Sequence, residues 1–116
     1  MLNPKKFRKL AIAAFLINIS LINSVYAGNS SGRIAYTLPT AGILFAFYSG
    51  SILNKSACGT SDEWAIDIST PQGRVIAATV MAAQAQGATI NVWGQNACNP
   101  AFGARESVSH IQIISR

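Results

Sequence analysis

Most of this chain alternates hydrophobic and polar residues in short runs, and one stretch breaks the alternation. Ile34, Tyr36 and Leu38 fall on one face and Arg33, Ala35 and Thr37 on the other, which predicts a half-buried strand starting at Gly32. Pro39-Thr40-Ala41-Gly42 is a turn signal: proline fixes φ and glycine permits the reversal. The run from Ile43 to Ser49 is apolar on both faces through Leu44, Phe45, Phe47 and Tyr48, as expected of a strand inside a sheet. Residues 50–61, rich in Ser, Gly and Asn, predict a loop. A short third strand then places Trp64, Ile66 and Ile68 inward.

The break comes at Ser69-Thr70-Pro71. Thr70 can accept from orphan backbone N–H groups, and Pro71 suits a first helical turn because its missing donor costs nothing there. Ile76, Val80 and Ala83 recur at helical spacing among other alanines, and Gly87 supplies a left-handed stop. Small residues on the buried side of this helix let its axis approach a sheet closely. Ala88 to Gly94 alternates again, with Ile90 and Val92 inward. Residues 95–104 predict a loop containing Pro100 and Gly103. Ser107 to Ser115 predicts a last strand whose alternation slips near Val108–His110, the mark of a bulge before Ile111 and Ile113 turn inward. Gly28 to Ser31 predicts a flexible start. The expected fold is mainly β with one helix: a five-stranded OB-type barrel, the helix between the third and fourth strands.

Charge and composition change the picture mainly at the beginning. Lys5, Lys6, Arg8 and Lys9 precede an apolar run from Leu10 to Ile22, and Val25-Tyr26-Ala27 puts small residues where a signal peptidase reads them. This predicts a signal peptide over residues 1–27, cleaved after Ala27, and a single domain over 28–116. An uncleaved anchor would need about 20 apolar residues, and this run is shorter and contains Asn18 and Ser20. Of the formal charge of +5, the four basic residues of the leader carry most, and the basic pI belongs to the leader. After cleavage Arg33, Lys55, Arg74, Arg105 and Arg116 stand against Asp62, Glu63, Asp67 and Glu106, a net charge of about one. No cationic cluster remains, which argues against a nucleic-acid partner. The mature form is not expected to span a membrane.

Cys58 and Cys98 are the only cysteines. In an exported chain one pairing is available, and it predicts a structural disulfide. Two thiols at this separation fit neither a redox motif nor a metal set, and no cofactor motif is present.

The cysteine before a Trp64-led strand, Gly73, the alanine-rich run Ala77 to Gly87, then Val92, Cys98, Val108 and Ile111 resemble a family. They are similar to small exported bacterial OB-like proteins related to the binding subunit of subtilase-type AB toxins and of the pertussis-like group. The likeness covers roughly residues 58–113. It implies a glycan ligand, often sialylated, and a pentameric ring. In those subunits a polar cluster near the first strands holds the glycan, whereas residues 32–51 of this chain are more apolar.

Among candidate sites, Asn91 and Trp93 share the outward face of the fourth strand. An indole can stack on the C–H face of a sugar while an amide bonds its hydroxyls; the alternative is that a loop or a neighbouring subunit covers Trp93. His110, the single histidine, lacks a nucleophile and an orienting carboxylate in any recognisable pattern, so no catalytic residue is assigned and no enzyme is expected. Tyr36 and Tyr48 read as barrel-wall residues. Glu63 and Asp67 read as solvated charges near a sheet edge. The expected role is an exported non-enzymatic recognition module that binds a glycan and assembles with copies of itself. The alternative is a periplasmic structural or protein-interaction domain.

Overall fold

A computed structural model describes residues 26–115. The predicted leader up to residue 25, and Arg116, lie outside the described residues. Secondary structure follows in the order β1 (Asn29–Arg33), β2 (Tyr36–Pro39), β3 (Leu44–Tyr48), β4 (Trp64–Asp67), α1 (Pro71–Gln86), β5 (Thr89–Gly94), a 3-10 turn (Pro100–Phe102) and β6 (Glu106–Ser115). The strands form one sheet in the order β1-β5-β6-β4-β3-β2. All pairings are antiparallel except β4 with β6, where Trp64 lies beside Glu106 and Ala65 beside Ser107.

This corrects the expected five-stranded barrel: the sheet has six strands and its hydrogen-bonded order is open. The cause is a bend at Ile34–Ala35. The run that reads as one strand is two, β1 pairing with β5 and β2 with β3. The bend also changes which side chains point inward. Ile34 is buried, but Tyr36 and Leu38 are 43% and 42% exposed, opposite to the alternation read across the bend. Residues 28–31 are likewise not a flexible start. Their backbone forms the β1 ladder, and Ser30 is buried because its Oγ accepts from the Trp64 indole N–H at 2.8 Å and lies 3.3 Å from Ser49 Oγ. A polar run thus becomes structural by satisfying a buried indole and a buried hydroxyl, which hydropathy does not register.

Helix α1 forms as its sequence predicts. Thr70 Oγ1 accepts from Gly73 N–H at 3.0 Å, and Gly87 ends the helix at φ 62° with its N–H on the Gln84 carbonyl. Gly73, Ala77, Val80 and Ala83 are its buried face. Gly73 is required by close approach: a Cβ there would overlap the carbonyl of Asp67 at the end of β4. The alanine face joins one core with Phe45 and Phe47 of β3, Trp64 and Ile66 of β4, Ile90 and Val92 of β5, and Val108 of β6. Residues from distant strands of the sheet therefore meet in a single core beneath the helix. The bulge in β6 falls at Ser109, since Trp93 faces His110 while Gly94 faces Val108. Beyond it Ile111 packs on the core, but Ile113 is 42% exposed at the far end of the β5–β6 ladder, a further correction. Cys58 and Cys98 are bonded, with Cα atoms 6.0 Å apart. Among the described residues no helix is long and apolar enough to cross a membrane.

Candidate functional site

Strands β1, β5 and β6 present their outward residues as a grid. In β5 burial alternates strictly, Ile90, Val92 and Gly94 inward and Thr89, Asn91 and Trp93 outward. The register then sets Asn29 and His110 on either side of Trp93, and Ser31 and Gln112 on either side of Asn91. Trp93 and His110 stack, ring centroids 4.5 Å apart and planes within 14°. The His110 ring also lies 3.2 Å from Ser109 Oγ through Nδ1. The two predicted ligand-binding residues thus do share a face, both half-buried, and His110 stacks on Trp93. Among the described residues no side-chain hydrogen bond engages Asn29, Ser31, Asn91 or Gln112, so their amides and hydroxyl are available to a ligand.

Around the helix start the surface is grooved. A cavity of about 660 Å³ lies between the first turn of α1 and the strands, bordered by Gln72, Gln95, Asn99, Ser107 and Ser109 above Phe102. A second, of about 540 Å³, follows along Val75, Ile76, Thr79, His110 and Ile111. Gln72, Ile76 and Ser109 border both, and His110 connects the second to the Trp93 stack.

Glu63 and Asp67 do not stand at a sheet edge as their spacing suggests, because β4 lies between β3 and β6; Asp67 bonds Ser69 at the exposed surface. Glu63 is a node. It accepts from Tyr36 Oη at 2.8 Å and from Arg105 Nε at 2.9 Å, and pairs with Arg105 Nη2 at 2.9 Å. The Tyr36 hydrogen bond, helped by Arg105, holds its carboxyl below the usual glutamate range, and the same bond raises the Tyr36 phenol. Tyr36 and Tyr48, expected in the wall, stack on each other with centroids 5.5 Å apart, Tyr36 on the surface. Asp62 is lowered by the Ile52 N–H, then by Lys55; Asp67 is lowered by the Ser69 hydroxyl and N–H.

Sequence reasoning missed one constellation altogether. Glu106 is 1% exposed, yet among the described residues its carboxylate accepts only from backbone N–H groups: Gly28 at 3.1 and 3.2 Å and Asn96 at 3.0 Å. Trp64 and two glycines complete its walls. A Cβ on Gly94 would overlap the carboxylate, and one on Gly28 would come within 2.9 Å of Oε1 and 2.7 Å of Ile52 Cγ2. The available signal was the proximity of Gly28 to the Val25-Tyr26-Ala27 motif; nothing in sequence spacing linked it to residue 106.

No family model, curated protein or solved structure matches this chain.

Proposed function

We propose that this chain is an exported, non-enzymatic recognition module that binds a glycan on its β1–β5–β6 face. The observation that carries the reading is the Trp93–His110 stack, set among amide and hydroxyl side chains that have no side-chain hydrogen bond among the described residues. Aromatic surface with convergent neutral hydrogen-bonding groups suits a sugar, whose hydroxyls need partners and whose C–H faces need apolar contact. The disulfide agrees with an oxidising compartment. We further read β1 and β2 as the halves of one bent strand. On that reading each strand has two neighbours and the order becomes circular, as in a partly open OB barrel. The close approach of Gly32 to the Ser49 carbonyl supports it. The likeness to AB-toxin binding subunits, and a ring of copies, belong to the same proposal.

A glycan array probed with the chain lacking residues 1–27, beside Trp93→Ala and Asn91→Ala, tests it. The expected result is binding of a defined glycan set, weakened at least about tenfold by Trp93→Ala, and a multimer on sizing. Absence of any bound glycan, together with one stoichiometric periplasmic protein partner, would replace it with the protein-interaction reading. That reading has its own observation: Tyr36, Leu38 and Ile43 expose apolar surface beside β2, the last strand in the sheet order.

A further inference from the structure

Among the described residues, no cation pairs with Glu106. The ion pairs among the described residues are Lys55 with Asp62 and Arg105 with Glu63. Arg74 donates to the Ile68 and Ser69 carbonyls, and Arg33 is exposed on β1. A buried carboxylate served by backbone dipoles alone is unfavourable unless a compensating charge reaches it. Of its two backbone donors, Asn96 N–H and Gly28 N–H, only the Gly28 nitrogen shares its proton between both carboxylate oxygens.

That nitrogen follows directly on Ala27, where the leader is expected to be cut. We propose that Glu106 is the receptor for the α-ammonium that processing creates on Gly28, so that removal of the leader supplies the missing charge and completes the fold. Signal peptidase hydrolyses the Ala27–Gly28 amide: the C–N bond breaks and water adds its oxygen to the Ala27 carbonyl carbon. Both water protons end on the Gly28 nitrogen, leaving a carboxylate on the departing leader and an ammonium on the domain. A free α-amine keeps its proton at neutral pH. In place of one amide proton, three N–H donors and a full charge then face the carboxylate, and charge-assisted bonds of this kind are the stronger ones.

The surrounding geometry suits a chain terminus at Gly28. Tyr26 and Ala27 are exposed while Gly28 is buried, so the expected scissile bond lies where the chain passes from surface to interior. Gly28 is then anchored on its other side: its carbonyl accepts from Gly94 N–H at 2.9 Å, and Asn29 exchanges both backbone bonds with Leu53. The side-chain-free residue is needed because the socket, closed by Ile52, Glu106 and Trp64, has no room for a Cβ.

A thermodynamic cycle separates this from a merely structural role. Four chains are compared by thermal melting: starting at Gly28 or retaining Tyr26-Ala27, each with Glu106 or with Glu106→Gln. We expect the retained residues to lower Tm by on the order of 10 °C in the Glu106 chain. We expect Glu106→Gln to lower Tm clearly in the chain starting at Gly28 and much less in the extended one. Equal losses in both would reduce Glu106 to an acceptor of backbone bonds and overturn the proposal, as would N-terminal sequencing of the exported protein that begins at any residue other than Gly28. Should Glu106→Gln fail to fold, amine acylation at neutral pH decides: the Gly28 α-amine of the folded wild type should react at least about tenfold more slowly than in denaturant. Equal reactivity would sink the assignment. None of these readouts depends on a glycan.

Discussion

Two glutamates flank the same tryptophan and live in opposite conditions. Glu63 precedes Trp64 in the chain and stands in a partly solvated network with a guanidinium and a phenol. Glu106 lies beside Trp64 across the parallel β4–β6 pairing and is walled in by backbone and glycine. The first kind of site tolerates loss of a partner, since water can replace it. The second does not, because whatever leaves exposes an uncompensated charge in the interior. The difference is one of solvent access and not of residue type, and it predicts a graded set of responses.

The largest response is expected at Gly94. A methyl group there competes with the Glu106 carboxylate for the same space, so Gly94→Ala must move β5, expel the carboxylate or both. A loss above about 4 kcal/mol is expected, the range reserved for core overpacking and broken buried networks. Denaturant melts measure it. A midpoint within error of wild type would mean that the glutamate turns out to solvent at little cost, and the contrast with Glu63 would collapse.

Next comes the disulfide. Cys98 ends the segment whose Asn96 N–H donates to Glu106, so the bridge also holds one wall of the buried site. Opening a loop with a sequence separation of 40 costs about 4 kcal/mol in the chain-entropy model. Cys58→Ser should therefore lower Tm by on the order of 15–30 °C. If the Gly28 α-amine also becomes more reactive in this variant, the bridge and the socket are one cooperative unit; unchanged reactivity would separate them.

What could be read in advance follows from what periodicity records. Helix α1, its Thr70 and Gly87 caps, the inward Ile90 and Val92 and the slip near Ser109 were legible because each depends on neighbours within a few residues. The outward pairing of Asn91 with Trp93 was legible for the same reason. The division of the first strand was not: Ile34 and Ala35 carry no breaker, and the bend comes from which partner each half finds, β5 or β3. Nor could alternation reveal that Ser30 is inside, since its burial is decided by an indole 34 residues away. Glu106 was illegible in the strongest sense. It entered only the charge count, as one of four negative residues, and only the fold brings it to Gly28, 78 residues earlier.

The smallest effect tests the other side of the comparison. Glu63 is held below the ordinary carboxylate range, chiefly by Tyr36 and then by Arg105. A group with a depressed folded value contributes stability that is present above its unfolded value, about 4.3, and is lost as pH falls through the folded one. Glu63→Gln should thus cost less than about 1 kcal/mol at pH 7, as partly exposed pairs do. In acid the wild-type and variant curves should converge. Asp62 and Asp67 are also lowered and remain in both proteins, so the difference between the two curves isolates Glu63. The alkaline limb carries the reverse sign. The raised Tyr36 phenol contributes below about pH 10 and loses that contribution as pH rises through its folded value. Melting curves across both limbs check it. Curves that stay parallel in acid would mean that Arg105 and Tyr36 do not hold Glu63 in solution, and that the open network owes its geometry to the strands around it.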